Sequence, residues 1–203
     1  MPVFILSVLA LLLMPGPDML LISSLSINKG RKMGLLACLG NLTSGIVLTL
    51  ISGLGVASFI KQVPYSFDVM RFTGGGYLFY LAWVNINRKN IKSIDDINKK
   101  EAWHCYATAI INNLLNPKAL IFFAMFLPQF VSKEIPSSPM EQLFLLGFIL
   151  NIMGFAFNAL LVLTLSKLVE RWVSENTNSV YRNKIISILF VILGCWMLIG
   201  QFE

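Results

Sequence analysis

Pro15-Gly16-Pro17-Asp18 interrupts the first apolar stretch of the chain, and Asn116-Pro117-Lys118 interrupts another about 100 residues later. Each stretch is long enough to cross the roughly 30 Å hydrocarbon core of a bilayer as a helix. Proline cannot donate a backbone hydrogen bond, and its ring clashes with the carbonyl four residues back. Both motifs therefore predict a helix break near the middle of a span. Such breaks are tolerated where the backbone is buried in protein or lines a polar cavity.

The two motifs carry opposite charges, Asp18 in the first and Lys118 in the second. An ionisable side chain inside a membrane span is costly, and it indicates a functional site with a partner nearby. Paired helix breaks with charged residues at mid-depth are typical of transport proteins. The pattern therefore favours a transporter.

The composition indicates a membrane protein of one domain, residues 1–203. Of the 203 residues, 56% are hydrophobic and 13% are charged, whereas a soluble domain carries about a quarter charged residues. The net charge of +6 does not indicate nucleic-acid binding, because the basic residues concentrate in loops between apolar blocks. Three separated cysteines and one histidine predict neither a disulfide framework nor a metal site. With no phosphate-binding loop and no nucleophile–base set, we expect no cofactor and no enzymatic activity.

Six apolar spans predict an all-α polytopic membrane protein with six transmembrane helices, of which the first and fourth are broken. A polar linker at 88–105 separates the halves 1–87 and 106–203. Because each half holds three spans, the halves enter the membrane from opposite sides and suggest a 3+3 inverted-topology repeat. At an offset of about 100 residues, Pro17 superposes on Pro117. The predicted spans are Val3–Ser26, Met33–Ile60, Phe67–Ile86, Tyr106–Val131, Gln142–Ser166 and Ile185–Gln201.

The distribution of basic residues predicts the orientation. The loops after spans one, three and five hold most of the 16 lysines and arginines, whereas the opposite loops hold only Lys61 and Lys133. Basic loops face the cytoplasm. We therefore expect both termini on the non-cytoplasmic side.

Asp18 and Lys118 each allow two interpretations. Asp18 either caps the half-helix that begins after the break, or it binds a substrate ammonium group or a coupling proton. Lys118 either forms a structural ion pair with Asp18, or the two charges separate to receive the carboxylate and ammonium of a zwitterion. Both interpretations of Lys118 place the two side chains close together. The further pathway candidates are Pro15, Gly16, Pro17, Asn41, Asn116 and Pro117.

Small and amide side chains recur in the other spans. Glycines in span two and the run Gly74-Gly75-Gly76 let helices approach closely, and such glycine-rich faces suit a homodimer. Asn151 and Asn158 are seven residues apart and share one helical face. The sequence leaves open whether these amides join helices or line a pathway.

Several of these motifs together resemble the lysine exporter superfamily, and most closely its homoserine/threonine efflux (RhtB) branch. The resemblance rests on Pro15-Gly16-Pro17-Asp18, Asn28-Lys29-Gly30, the Gly40 to Gly45 region, and Asn116-Pro117-Lys118 through Leu127-Pro128-Gln129-Phe130. It implies an inner-membrane exporter of amino acids or their derivatives that is driven by an ion gradient. Related sequences often have an acidic residue in span five, where this chain has Gly154. That departure favours a neutral substrate or a different coupling detail.

Our main hypothesis is a secondary exporter of a threonine- or homoserine-like zwitterion, with a proton or another ion as the coupling partner and lipid around it. The alternative is a non-catalytic membrane protein that assembles or stabilises a partner, in which Asp18 and Lys118 form only a structural pair. An intramembrane enzyme has no support, because the sequence contains no catalytic set.

Overall fold

The computed structural model describes residues 1–55, 66–87, 99–173 and 179–199, and in these ranges the chain forms helices and no strand. The short α-helix Pro117–Ile121 continues as a π-helical turn (Phe122–Phe126) and a 3-10 turn (Leu127–Phe130). The α-helices are α1 (Pro2–Leu13), α2 (Pro17–Lys29), α3 (Arg31–Gly53), α4 (Ser66–Ile86), α5 (Lys99–Leu114), α6 (Pro117–Ile121), α7 (Pro139–Val173) and α8 (Ser179–Ile199).

Both predicted helix breaks are confirmed. The axes of α1 and α2 differ by 55°, and those of α5 and the segment Pro117–Phe130 differ by 54°. Pro17 and Pro117 are each the first residue of the helix that follows a break. Proline is favoured at that position because its fixed φ suits a helix start and its missing N–H would have had no partner there.

The apolar helices support a multi-pass membrane protein. By length and hydropathy, α3 and the Pro139–Leu165 part of α7 are each able to span a bilayer. The two bent pairs raise this number to four in the described ranges if each pair is one span, and Asn183–Ile199 is a shorter apolar helix. The count of six therefore remains a prediction.

The last part of the polar linker predicted at 88–105 is helical. Helix α5 already begins at Lys99, and its first turn contains Glu101. The Glu101 carboxylate lies 2.5 Å from Lys29 Nζ at the end of α2, so these charged residues join two helices. Some of the predictions concern parts of the chain outside the described residues. These parts are residues 56–65 with Lys61, residues 88–98, the side chains of 166–182, and residues 200–203.

Two hydrophobic clusters lie on either side of the breaks. One contains Ile22 of α2, Cys105 of α5 and Phe190 of α8. The other contains Phe4 of α1 and Phe123 of the π-helical turn. The chain passes from one cluster to the other at each break. The breaks are therefore held between two packed regions.

The glycines of α3 face other helices of the same chain. A side chain at Gly40 would overlap the Tyr106 carbonyl of α5, and one at Gly45 would overlap Asn151 of α7. Helix α3 therefore packs along α5 and α7, and α4 packs along α8. Gly40 and Gly45 therefore serve helix packing within one chain, and a homodimer remains a prediction.

The glycine run in α4 supplies a stability prediction with an internal control. A Cβ atom at Gly74 would overlap the backbone carbonyl of Leu115, just before the second break, whereas one at Gly76 would meet no atom within 4 Å. We expect Gly74→Ala to destabilise the protein by about 1–3 kcal/mol through overpacking. We expect Gly76→Ala to be neutral or slightly stabilising, because alanine favours the helix. Thermal unfolding of the detergent-solubilised variants measures the difference, and equal stabilities would contradict the packing described.

Candidate functional site

Asp18 lies in the first turn of α2, directly after the first break. Its Oδ1 accepts a hydrogen bond from Asn112 Nδ2, and its Oδ2 accepts one from Asn116 Nδ2, both at 2.6 Å. Gly16 is the N-cap of α2, with no side-chain capping bond, so the interpretation of Asp18 as a cap is wrong. Both donors belong to the second break. The Asp18 carboxylate therefore connects the two breaks.

Asn116 holds a fixed orientation in this network. Its Oδ1 accepts a hydrogen bond from the backbone N–H of Lys118 at 3.0 Å, and so caps α6. Because the amide oxygen is used in this way, the Nδ2 group is left to donate to Asp18. One side chain thus caps a half-helix and binds the carboxylate of the other half.

Lys118 does not form the predicted ion pair with Asp18. Its Nζ donates instead to the backbone carbonyl of Met14, at 2.6 Å, and no contact between the two charged groups qualifies as an ion pair in this described region. Met14 ends α1 with extended backbone. A Cβ atom at Gly16 would lie 3.4 Å from Lys118 Cδ, an ordinary van der Waals distance, so the Lys118 side chain packs over this part of the first break.

The two charges are bound reciprocally. Asp18 of the first break is bound by amides of the second, and Lys118 of the second break is bound by a carbonyl of the first. Each bond has an ionised partner, and such hydrogen bonds are stronger than neutral ones. Asp18 and Lys118 thus line the same cavity, but each is bound by its own partners and not by the other.

A cavity of about 100 Å³ lies where the two breaks meet α3 and α7. Five of the predicted site residues line it, namely Gly16, Asp18, Asn41, Asn116 and Lys118. Pro15, Pro17 and Pro117 instead line an adjoining, mostly apolar cavity of about 480 Å³, together with residues of α1, α6 and α8. Gly16, Asn116 and Lys118 line both cavities, whereas Asp18 and Asn41 line the smaller one alone.

Asn41, which lines the cavity, is hydrogen-bonded to Asn113 of α5. The Asn113 amide group donates to the side-chain oxygen of Asn41, and the Asn113 oxygen is buried without a hydrogen-bond partner. Asn112 and Asn113 were not predicted as site residues. The available signal was three asparagines within five residues, directly before a helix-breaking proline.

The structure separates the two amides of α7. Asn151 Nδ2 donates to Thr49 Oγ1 of α3 at 2.9 Å, so Asn151 joins helices. Both amides line the cavity, but Asn158 makes no side-chain hydrogen bond within the described parts of the chain. Gly154, the position of the missing acid, lies between them on the cavity wall. No group of three His, Cys, Asp or Glu side chains that could hold a metal ion occurs among the described residues.

A model of a known protein family, the LysE type translocators, matches residues 9–201. The chain belongs to the LysE family. The match includes both helix breaks and every residue named above as lining the smaller cavity. The expected superfamily is thereby confirmed, and the chain is a member of a translocator family with helices apolar enough to cross a membrane.

Curated relatives of this LysE-family chain include two from Salmonella. The leucine efflux proteins of Salmonella choleraesuis and Salmonella typhimurium are each 27% identical to it over 192 residues, which cover 93% of this chain and 89% of the relative. An uncharacterised membrane protein of Pseudomonas aeruginosa is 30% identical over 168 residues, covering 79% and 77%. No solved structure matches.

Proposed function

We propose that this LysE-family protein is a secondary exporter of neutral, zwitterionic amino acids in a bacterial inner membrane. The cavity between the two breaks is its substrate site. The observation that carries the proposal is the reciprocal binding of Asp18 and Lys118. The cavity thereby presents an anionic and a cationic group that are not neutralised by direct contact with each other.

A zwitterionic amino acid has charges that complement these two groups. Its ammonium group is a donor for the Asp18 carboxylate, and its carboxylate is an acceptor for Lys118 Nζ once that group leaves the Met14 carbonyl. The substrate ammonium group would replace an amide donor at Asp18, and the substrate carboxylate would replace the carbonyl acceptor at Lys118. Buried charges would therefore keep hydrogen bonds in both the empty and the loaded site, which limits the desolvation penalty.

The wall opposite the charged pair favours a neutral substrate side chain. Gly154 and Asn158 of α7 line it, and neither can neutralise a further charge. The leucine efflux proteins among the relatives are consistent with neutral cargo. Threonine, homoserine and leucine are therefore the first candidates, with RhtB-type specificity as the branch that the sequence motifs favour.

The proposed architecture is six spans in a 3+3 inverted repeat with both termini outside the cytoplasm. The bends of 55° and 54° support equivalent halves. So does the packing of α3 on α7 and of α4 on α8, since each pair joins corresponding helices of the two halves. The Lys29–Glu101 ion pair supports the placement of those two loops on one side.

A proton is the coupling ion that we propose, with Asp18 as its site. Protonation would remove the charge that the Asn112 and Asn116 amides bind, and so weaken the connection between the breaks. The rival interpretation, a partner-stabilising protein, required a structural Asp18–Lys118 pair. The separate partners of the two charges support the exporter over that alternative.

Efflux from preloaded cells tests the proposed function. Cells with the protein and cells with an empty vector are loaded with labelled threonine, homoserine, leucine, lysine or glutamate, and loss of label is followed. We expect faster loss of one or a few neutral amino acids and unchanged loss of lysine and glutamate. Equal loss of every amino acid from both cell types would overturn the proposal.

A further inference from the structure

Asn158 is a buried amide that has no partner in the described parts of the protein. Its side chain is 7% exposed, it lines the smaller cavity, and it makes no hydrogen bond there. Its amide atoms are not among the fully buried polar atoms without a partner, which are Ser26 Oγ and Asn113 Oδ1 in the described part of the chain, so the Asn158 amide is open to the cavity and available to a ligand. Asn151, on the same helical face, has its partner in Thr49.

Helix packing gives the position of Asn158 within the site. Along α3 and α7, Gly34 lies against Val162 and Gly45 lies against Asn151. This antiparallel register places Asn158 beside Cys38, which also lines the cavity. Asn158 is therefore displaced along α7 from the Asn151–Thr49 contact, toward the end of the helix that packs near the start of α3.

Gly154 provides open space one helical turn from Asn158. A Cβ atom at Gly154 would meet nothing closer than Leu12 Cδ2 at 3.8 Å. The other α3-facing glycine of this helix, Gly147, has no such space, because a Cβ atom there would overlap Thr49. The α7 wall thus combines a free volume with a free hydrogen-bonding group.

We propose that Gly154 and Asn158 form the subsite for the substrate's side chain, in which the Asn158 carboxamide hydrogen-bonds a hydroxyl or amide group. This inference rests on the proposed function, since it assumes that the charged pair binds the amino acid's ammonium and carboxylate groups. A carboxamide both donates and accepts, so it suits uncharged polar groups. An apolar side chain of the same shape would lack that hydrogen bond, so we expect such a substrate to be exported more slowly than its hydroxylated analogue.

Threonine and valine test the subsite, because they have the same shape and differ by a hydroxyl in place of a methyl group. Efflux of each is measured from cells with the intact protein, Asn158→Leu or Asn151→Leu, at matched membrane abundance. We expect the intact protein to export threonine at least about fivefold faster than valine. Asn158→Leu should bring this ratio close to one. Asn151 also lines the cavity, but its amide is already bonded to Thr49, so Asn151→Leu should slow both substrates by removing a contact between helices and should not change the ratio.

Other outcomes overturn the subsite. An unchanged ratio in Asn158→Leu, or an equal loss of both substrates, would show that Asn158 does not contact the side chain. If Asn158→Leu is not inserted, Asn158→Ala removes the same amide without added bulk and carries the same expectation. Export of valine as fast as threonine by the intact protein refutes the subsite alone, whereas export of no amino acid refutes the proposed function.

Discussion

Replacing Asp18 with asparagine is expected to reduce amino-acid efflux to the rate of cells without the protein, a loss of at least about tenfold. The Asp18 carboxylate accepts from two amide donors, Asn112 and Asn116. Asparagine has one acceptor oxygen and brings an NH₂ group of its own, so one donor is left facing another donor. Hydrogen bonds to charged groups contribute about 1.5–3 kcal/mol each, and about 1.4 kcal/mol is a factor of ten.

Glu134→Gln is the matched control for Asp18→Asn. It makes the same carboxylate-to-amide change at an exposed position between the second break and α7, away from the cavity. Efflux is compared at equal amounts of protein in the membrane. We expect Glu134→Gln to retain normal efflux. If Asp18→Asn also retained it, the carboxylate would have no part in transport.

The double variant Asp18→Lys with Lys118→Asp is expected to remain inactive. A lysine at position 18 would meet the amide donors of Asn112 and Asn116, and the Asn116 orientation is fixed by its cap on α6. An aspartate at position 118 would present an acceptor where the Met14 carbonyl requires a donor. The swap conserves the total charge but opposes both local hydrogen-bond patterns.

Recovery of efflux by the double variant would identify a structural ion pair and contradict the separate binding of the two charges. The single variant Lys118→Met is expected to be inactive as well, since it removes the cationic group of the cavity. Lys133→Met makes the same change at an exposed loop position and should leave efflux normal. Membrane abundance, measured for all of these variants, separates loss of transport from loss of insertion.

The helix breaks were predictable from sequence because proline acts locally. Pro17 and Pro117 each prevent a regular hydrogen bond whatever the surroundings, and both begin new helices. The partners of the charges were not predictable in this way. The bond from Asn112 to Asp18 joins residues far apart in the chain, and opposite charges in matching motifs suggested the simpler ion pair instead.

The same limit applies to Asn151 and Asn158, which have equivalent places in the helical pattern. Their roles differ because Thr49 lies beside Asn151, whereas open space lies beside Asn158. The start of α5 at Lys99 could not be fixed from the sequence for a related reason. The charged residues there suited a solvated loop or a short surface helix, and the ion pair of Glu101 with the distant Lys29 is not visible in the local sequence.

The most direct test of the central claim is counterflow in proteoliposomes that contain only the purified protein. Vesicles loaded with unlabelled threonine, valine or leucine are diluted into labelled amino acid, and the intact protein is compared with Asp18→Asn. The account predicts transient accumulation of label for at least one of these amino acids with the intact protein, and none with Asp18→Asn. No accumulation with either protein, or equal accumulation with both, would contradict a substrate site between the two helix breaks.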